Sequence, residues 1–202
     1  MIAVVDYGAG NVCSVMHALE YIGKPSVLTR DGQTIARADA VILPGVGAFG
    51  DAMAQLRASG VEEMLRAYLQ TGRPFLGICI GEQLLFERSE ESPGCSGLCW
   101  LPGQVRRIPS GQGRKIPHMG WNQVHLLRPD PLFAGLNGEM WMYFVHSYYV
   151  EAERREDVLA QVDYGVPMDV AVRRENLWAV QFHPEKSGEN GLLLLRNFAS
   201  MQ

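Results

Sequence analysis

A cysteine stands between two glycines in the segment Gly77-Ile78-Cys79-Ile80-Gly81, which follows an apolar run and precedes a helical pattern. A side chain can project from a sharp strand-to-helix turn only if its backbone is strained and its neighbours lack clashing Cβ atoms. Glycines on both sides meet that requirement, and a following helix would direct its N–H groups and its positive end at the sulfur. We therefore expect Cys79 to be a nucleophile, although an unselected cysteine is more often simply buried.

A histidine and a glutamate two residues apart lie far downstream, in the segment Phe182-His183-Pro184-Glu185. The proline favours an extended backbone at His183, and residues i and i+2 of an extended chain point to the same side. A carboxylate that holds one imidazole nitrogen leaves the other nitrogen to accept a thiol proton. Alone, such a pair is more often part of a solvated turn. Together with Cys79, it predicts a catalytic triad of Cys79, His183 and Glu185.

Length, charge and cysteine spacing limit the class of protein. The 202 residues suit one domain spanning residues 1–202, and the net charge of −4 argues against a nucleic-acid partner. No targeting segment or membrane-spanning apolar stretch is evident, so we expect a soluble, cytoplasmic protein with no membrane association. The four cysteines lack metal-binding spacing and nearby paired histidines. We therefore predict no metal site, no disulfide framework and no cofactor.

The hydrophobic pattern predicts an α/β fold. In the first half, apolar runs at 2–5, 27–29, 40–43 and 75–78 alternate with helical spacing at 12–22, 49–69 and 82–88. This alternation predicts a mostly parallel central sheet flanked by helices, with Cys79 at the strand edge where such sheets bind ligands. Glycine and proline interrupt 92–150, so we expect an additional small antiparallel region there. Its predicted strands include 105–108 and 141–145. Two more predicted strands, 158–162 and 169–172, precede the His-Pro-Glu segment, and a helix over 190–201 ends the pattern.

A loop with two glycines follows the predicted strand at 40–43. The segment Gly45-Val46-Gly47 is suited to turning backbone N–H groups toward a ligand. When a thiolate attacks an amide, negative charge develops on the amide oxygen, and the N–H groups of Val46 and Ile80 could stabilise it as an oxyanion hole. A tight turn between strand and helix explains the same glycines equally well.

A second glycine loop follows the first strand, with the sequence DYGAGN at 6–11. It resembles the start of a dinucleotide-binding fingerprint, but Cys13 occupies the place of the third glycine. Turn formation and helix capping by Asn11 account for these residues without a nucleotide. We therefore expect a turn and a helix cap here.

The cysteine elbow, the PGVG loop at 44–47 and the late His-Pro-Glu together resemble the class I glutamine amidotransferases. In that family the cysteine attacks the side-chain amide of glutamine, releases ammonia and leaves a glutamyl thioester that water hydrolyses. The resemblance implies that Cys79 is the nucleophile, His183 the acid and base, and Glu185 the residue that orients it. It also implies a flavodoxin-like fold.

Within that family, the chain is similar to the glutaminase subunits of imidazole glycerol phosphate synthases. The motifs that carry this similarity are QLLFERSEE at 83–91, LPG at 101–103, PHMGWN at 117–122, YFVHSYY at 143–149 and FHPEKSGENG at 182–191. The similarity implies L-glutamine as substrate and a heterodimer with a (β/α)8-barrel cyclase subunit. That partner receives ammonia through an internal channel and makes imidazole glycerol phosphate and an aminoimidazole carboxamide ribotide in histidine biosynthesis.

The resemblance also implies further site residues. Those expected to bind glutamine are Gly45, Gly47, Gln83, Glu91, Ser147 and Tyr148, and those expected to face the partner are Trp121, Tyr143 and Lys186. From the residues alone, Glu91 could equally be a solvated acid, and the two aromatic residues could form an edge of the core. His118 and His146 are expected to be structural.

One residue departs from the family pattern. Position 82 is glutamate, where relatives often carry methionine or another uncharged residue. A carboxylate beside the nucleophile would disfavour the thiolate. We therefore expect Glu82 to point outward, near a helix N-terminus where negative charge is favourable.

Three other functions remain open from the sequence. The first is an ammonia-supplying subunit of a different synthase, such as one that aminates sugars. The second is a non-catalytic binding module that keeps the fold, and the third is a cysteine hydrolase of another amide or peptide. Glutamine turnover that depends on the cyclase separates all three from the main prediction.

Overall fold

The computed structural model of this protein describes residues 1–8, 10–111, 113–136 and 139–201. The helices are α1 (Val12–Tyr21), α2 (Gly32–Arg37), α3 (Phe49–Ala58), α4 (Glu62–Leu69), α5 (Ile80–Gln83) and α6 (Gly188–Phe198). The first six strands are β1 (Ile2–Val5), β2 (Ser26–Thr29), β3 (Ala40–Gly45), β4 (Phe75–Cys79), β5 (Arg88–Ser89) and β6 (Gly103–Arg107). The others are β7 (His118–Leu126), β8 (Met140–His146), β9 (Tyr148–Ala152), β10 (Val158–Asp163), β11 (Pro167–Arg174) and β12 (Leu177–Val180).

The parallel half of the sheet has the order β2-β1-β3-β4-β12. Helices cover both faces of this half, so β1, β3, β4 and β12 are buried along their whole length and read as continuous apolar runs. β4 lies between β3 and β12 and pairs with both in parallel. The ends of these three strands therefore meet at one edge, which confirms the predicted location of Cys79.

The antiparallel half continues from β12 through β11, β10, β7 and β8. β9 joins this half through β11 and also pairs with β6, which in turn pairs with the short β5. The predicted fold class, a mostly parallel sheet with helices and an added antiparallel region, is confirmed. The antiparallel part is larger than expected, because β7 and β9 were not recognised in the sequence.

Side-chain alternation divides the apolar residues between two clusters, one on each face of the parallel sheet. Ile42 of β3 belongs to the cluster that α1 and α6 cover, while its neighbour Leu43 belongs to the cluster that α2, α3 and α4 cover. This is the period of two that a strand buried on both faces requires. The two clusters hold β4 rigidly, so the residue at its end is fixed in position.

Two of the predicted helices differ from the structure. The helical spacing over 49–69 forms two helices, because Gly60 takes a φ of +73° between α3 and α4, a conformation that interrupts a helix. The helix expected over 82–88 is instead the four-residue α5, which begins directly after Cys79 and is followed by turns and the short β5. The dipole that faces the sulfur is therefore smaller than the sequence suggested.

Among the residues with described coordinates, no helix is both long enough and apolar enough to cross a lipid bilayer.

Candidate active site

Cys79 lies at the turn from β4 to α5 with φ 57° and ψ −111°. For a residue other than glycine, such a conformation costs about 1–3 kcal/mol, and it persists only where the surroundings enforce it. A Cβ at Gly77 would lie 2.8 Å from the carbonyl oxygen of Gly81, and a Cβ at Gly81 would overlap the carbonyl oxygen of Leu43. The two glycines are thus required by space, and the predicted elbow is confirmed.

His183 reaches the same edge of the sheet from β12. Val180 of β12 pairs with Ile78 of β4, so the residues that follow each strand lie beside one another. His183 is extended, with φ −100° and ψ 95°, and Pro184 begins a single 3-10 turn that contains Glu185. The turn, and not a continued extended chain, brings the Glu185 carboxylate back to the imidazole.

The imidazole and the carboxylate form a buried hydrogen bond. Nδ1 of His183 lies 2.7 Å from Oε1 of Glu185, and their side chains are 1% and 0% exposed. An ionised carboxylate can only accept, so Nδ1 carries the proton and Nε2 is left for another group. Nε2 makes no well-formed hydrogen bond to any described residue, although the Cys79 sulfur is close enough to affect its protonation.

The charge state of His183 follows from burial and from two neighbouring groups that act in the opposite direction. Burial lowers the pKa of His183, but the nearby Cys79 sulfur and the Glu185 carboxylate, which accepts the Nδ1 hydrogen bond, raise it to about 10 overall. The imidazolium is therefore favoured at neutral pH, beside the sulfur of Cys79. Such a pair supplies both a nucleophile and an acid that can protonate a leaving group.

A cavity of about 370 Å³ opens over Cys79 and His183. Besides these two residues it is lined by Val46, Gly47, Ile80, Gln83, Glu91, Pro117, Val145, His146, Ser147 and Tyr148. All the predicted glutamine-binding and oxyanion-hole residues except Gly45 are thus brought to one cavity. Its size suits a small polar metabolite.

Gly45 lies at the end of β3, beneath the cavity wall. A Cβ at this position would overlap the hydroxyl of Tyr7, a buried group for which the sequence gave no role. Gly47, two residues on, has a φ of +99° with open space around it, so its glycine is needed for the backbone conformation. This loop carries Val46 to the cavity edge, where 37% of that residue is exposed.

Glu91 is an acceptor in the cavity wall and not a solvated surface acid. Its Oε2 accepts a hydrogen bond of 2.7 Å from the backbone N–H of Phe49, the first residue of α3. A carboxylate at a helix N-terminus is stabilised by the helix dipole and by a free backbone donor. Glu91 therefore joins the start of α3 to the cavity.

Gln83 is buried one helical turn after Cys79, as expected. Its Nε2 donates to the backbone oxygen of Tyr148 at 3.0 Å and to Oε1 of Gln181 at 2.9 Å. Nε2 of Gln181 in turn lies 3.7 Å from Sγ of Cys79. Sequence reasoning missed Gln181, although its position two residues before His183 on the same extended segment could have identified it.

Glu82 does not point outward, so that prediction was wrong. Its side chain is fully buried, and neither carboxylate oxygen has a hydrogen-bond partner among the described residues. Burial, followed by the negative charges of Cys79 and Asp169, raises the pKa of Glu82 well above its ordinary value. The first turn of α5 is packed against the sheet edge, which leaves this side chain no route to solvent.

His118 and His146 form a directed hydrogen-bond chain. His146 must donate through Nδ1 to the backbone oxygen of Tyr148 at 2.8 Å, because a carbonyl only accepts. Nε2 of His146 then accepts from Nδ1 of His118 at 2.9 Å, and Asn122 lies 3.2 Å from Nε2 of His118. Burial lowers the pKa of His118 to about 4 and that of His146 to about 3, so both are neutral and structural.

The residues predicted to face a partner lie together on β7, β8 and the turn after β12. The rings of Trp121 and Tyr143 are 6.1 Å apart, and Nζ of Lys186 lies 6.0 Å from the centre of the Tyr143 ring. Trp121 is 53% exposed, and Met119 and Trp141 on the same strands are also exposed. We call these five residues the aromatic patch. The exposure of Trp121 does not fit the alternative of an aromatic edge of the core, whereas Tyr143 is half-buried beside it.

Asn11 does not cap α1, contrary to expectation. It is the residue that precedes the helix, but its side chain makes no hydrogen bond to the backbone of the first turn. Its Nδ2 instead donates to Oε1 of Glu185 at 2.7 Å. The DYGAGN loop is therefore connected to the predicted triad, apart from residue 9, which lies outside the described residues.

Comparison with known proteins identifies the family. The sequence profile described as glutamine amidotransferase class-I matches residues 3–201. The chain belongs to this family of enzymes. This amidotransferase is 50% identical over 201 residues to the imidazole glycerol phosphate synthase subunit HisH of Methanothermobacter thermautotrophicus, covering 100% of the chain and 98% of that relative. It is 51% identical over 201 residues to the subunit of the same name from Synechococcus elongatus, covering 98% of the chain and 92% of the relative.

Solved structures share the fold of this amidotransferase. A crystal structure described as glutamine amidotransferase superposes with a TM-score of 0.76 at 23% identity, covering 98% of this chain and 97% of the other. PurLQS from Thermotoga maritima superposes with a TM-score of 0.72 at 19% identity, covering 98% and 96%. These likenesses confirm the α/β fold of the family.

Proposed function

We propose that this chain is the glutaminase subunit of an imidazole glycerol phosphate synthase. It hydrolyses L-glutamine to glutamate and ammonia and supplies the ammonia to a cyclase subunit. The observation that carries this function is the meeting of Cys79 with the buried His183–Glu185 pair at one cavity of about 370 Å³. Relatives with the HisH name, about half identical over nearly their whole length, support the pathway assignment.

In the first half of the reaction, the Cys79 thiolate attacks the side-chain amide carbon of glutamine. The backbone N–H groups of Val46 and Ile80 stabilise the negative charge that develops on the amide oxygen. The His183 imidazolium, favoured by a pKa of about 10, then donates its Nε2 proton to the departing nitrogen. The C–N bond breaks, ammonia leaves, and a glutamyl thioester remains on Cys79.

In the second half, water cleaves the thioester. Acylation removes the sulfur's negative charge, one of the causes that raised the pKa of His183, so that burial favours the neutral imidazole. Nε2 can then accept a proton from water, which attacks the thioester carbon. Glutamate leaves with the new oxygen, and the proton on His183 and the thiolate are restored together. Glu185 holds Nδ1 throughout.

The remaining cavity residues recognise the amino-acid end of glutamine. Glu91 provides negative charge for the α-ammonium group, while backbone groups around Gly47, Ser147 and Tyr148 provide donors and acceptors. Gln83 supports this wall through its bond to the Tyr148 carbonyl, and its own Oε1 has no hydrogen-bond partner within the part of the chain that the structure describes. Gly45 acts indirectly, because its missing side chain makes room for Tyr7 below the loop.

The ammonia is used by a second protein, a (β/α)8-barrel cyclase that forms a heterodimer with this chain. The aromatic patch provides the apolar, exposed surface that such a partner requires. One continuous sheet links the described strands from β2 to β8, which supports a single domain over 1–202. The four cysteines are free thiols, which suits the reducing cytoplasm.

The deciding experiment measures glutamate release from glutamine, with and without the cyclase subunit and its ribotide substrate. Wild type should be strongly stimulated by the liganded cyclase, and Cys79→Ser should abolish release. Cys99→Ser, a change at an exposed cysteine, is the matched control and should leave the rate unchanged. Release by Cys79→Ser would contradict the assigned nucleophile. Lack of stimulation by a cyclase that binds the chain would contradict the assigned pathway.

A further inference from the structure

Asn11 holds an unusual backbone conformation at the start of α1. Its φ of 69° and ψ of 12° are left-handed, whereas a residue that caps a helix is normally extended. Asparagine tolerates the left-handed region better than most residues, yet the conformation still costs free energy. No capping hydrogen bond offsets this cost, because the Asn11 side chain is turned away from the first turn of the helix.

The Asn11 side chain is directed instead at the predicted triad. Nδ2 lies 2.7 Å from Oε1 of Glu185, and this same oxygen lies 2.7 Å from Nδ1 of His183. A carboxylate only accepts hydrogen bonds, so the amide nitrogen must be the atom that faces it. Oε1 thus accepts from two donors, while Oε2 is buried without a partner among the described groups.

We propose that Asn11 is a positioning residue for the acid and base of the reaction. Its amide fixes the Glu185 carboxylate so that Oε1, and not Oε2, accepts the hydrogen bond from the Nδ1–H group of His183. The imidazole is thereby oriented with Nε2 toward Cys79. This inference rests on the proposed glutaminase function.

Two variants separate the hydrogen bond from the backbone conformation. Asn11→Gly removes the amide but readily keeps a positive φ, so the start of α1 should be preserved. Because Asn11 does not line the cavity, we expect kcat for glutamine hydrolysis in the cyclase complex to fall about 10- to 100-fold while KM stays within about twofold. A general loss of folding would lower the active fraction and the melting temperature together.

Asn11→Asp gives a signature that a structural role cannot produce. At high pH the new carboxylate faces Glu185 without a proton, so the donor is lost and the two charges repel. As the pH falls, the close pair retains one shared proton, because like charges raise the pKa of one member. A protonated aspartic acid then donates to Glu185 as the amide did. The activity of Asn11→Asp relative to wild type should therefore rise at least fivefold between about pH 8.5 and about pH 5.5.

Asn197→Asp is the matched control. The amide of Asn197 donates to the backbone oxygens of Leu132 and Ala134, so the same chemical change should lower stability without a pH-dependent change in relative activity. The proposal is overturned if both Asn11 variants keep wild-type kcat, or if Asn11→Asp is impaired equally at every pH. Wild-type activity that depends on Cys79 would in that case leave the glutaminase function intact.

Discussion

At the scale of single residues, Glu82 shows how far a site can depart from the simplest chemistry. Its buried carboxyl, three residues after Cys79, has no hydrogen-bond partner among the residues with a described structure, and its pKa is raised well above the ordinary value. The folded protein therefore binds a proton at Glu82 that the unfolded chain releases above about pH 4.3. Stability supported by this proton is complete below that pH and is lost as the pH rises through the folded pKa.

We expect Glu82→Met to raise the free energy of unfolding at pH 8 by about 1–3 kcal/mol, since it removes an unpartnered buried polar group. Glu82→Gln should raise the free energy of unfolding by less, and it should also remove the dependence of that free energy on pH that Glu82 causes. Urea unfolding of the three proteins at pH 5 and pH 8 measures both effects. If the wild type is less stable than the variants by the same amount at both pH values, protonation of Glu82 does not contribute to the stability of the folded protein.

At the scale of elements, the sequence predicted the strands and glycines well and the contacts poorly. The parallel strands β1, β3 and β4 could be predicted because each is buried and mainly apolar, and the elbow because Gly77 and Gly81 leave little alternative. The direction of a side chain could not be predicted. Glu82 is buried because α5 packs on β3 and β4. Asn11 reaches Glu185 across 174 residues of sequence. Local patterns contain neither contact.

The elbow also gives a direct test of packing at the element scale. Gly81→Ala would place a Cβ on the Leu43 carbonyl of β3, so we expect a loss of about 3 kcal/mol or more, or failure to fold. Gly72→Ala is the matched control. An added Cβ at Gly72 would meet open space, so only the φ of +76° makes alanine unfavourable there. It should cost about 1 kcal/mol. Equal losses in urea unfolding would contradict a steric requirement at Gly81.

At the scale of the whole molecule, the aromatic patch and one wall of the cavity belong to the same antiparallel part of the sheet. Trp121 pairs with Tyr143 in the β7–β8 ladder, and a few residues along β8 the chain reaches His146 and Ser147 in the cavity wall. A partner bound to the patch would therefore contact the strands that shape the cavity. This arrangement suits an enzyme whose hydrolysis must be matched to use of the ammonia.

We expect Trp121→Ala to weaken binding of the cyclase about 10- to 100-fold, as is usual for a central aromatic residue of an interface. Its effect on stability should be small, because 53% of the residue is exposed. Tyr21→Ala, at an exposed aromatic residue on α1, should leave binding unchanged. Titration calorimetry measures the affinity of the cyclase for the wild type and for both variants. Unchanged affinity for Trp121→Ala would place the interface elsewhere.

The central position of β12 has a consequence for biosynthesis. This strand comes from the last part of the sequence, yet it lies beside β4 and forms the junction between the two halves of the sheet. A nascent chain on the ribosome carries Cys79 long before His183 is made, and β4 keeps an open edge until residues 177–180 emerge. On the proposed mechanism, Cys79 has no base until the chain is nearly finished, so glutamine hydrolysis waits for the completed fold. The same delay leaves that open edge as the place where a chaperone would be needed.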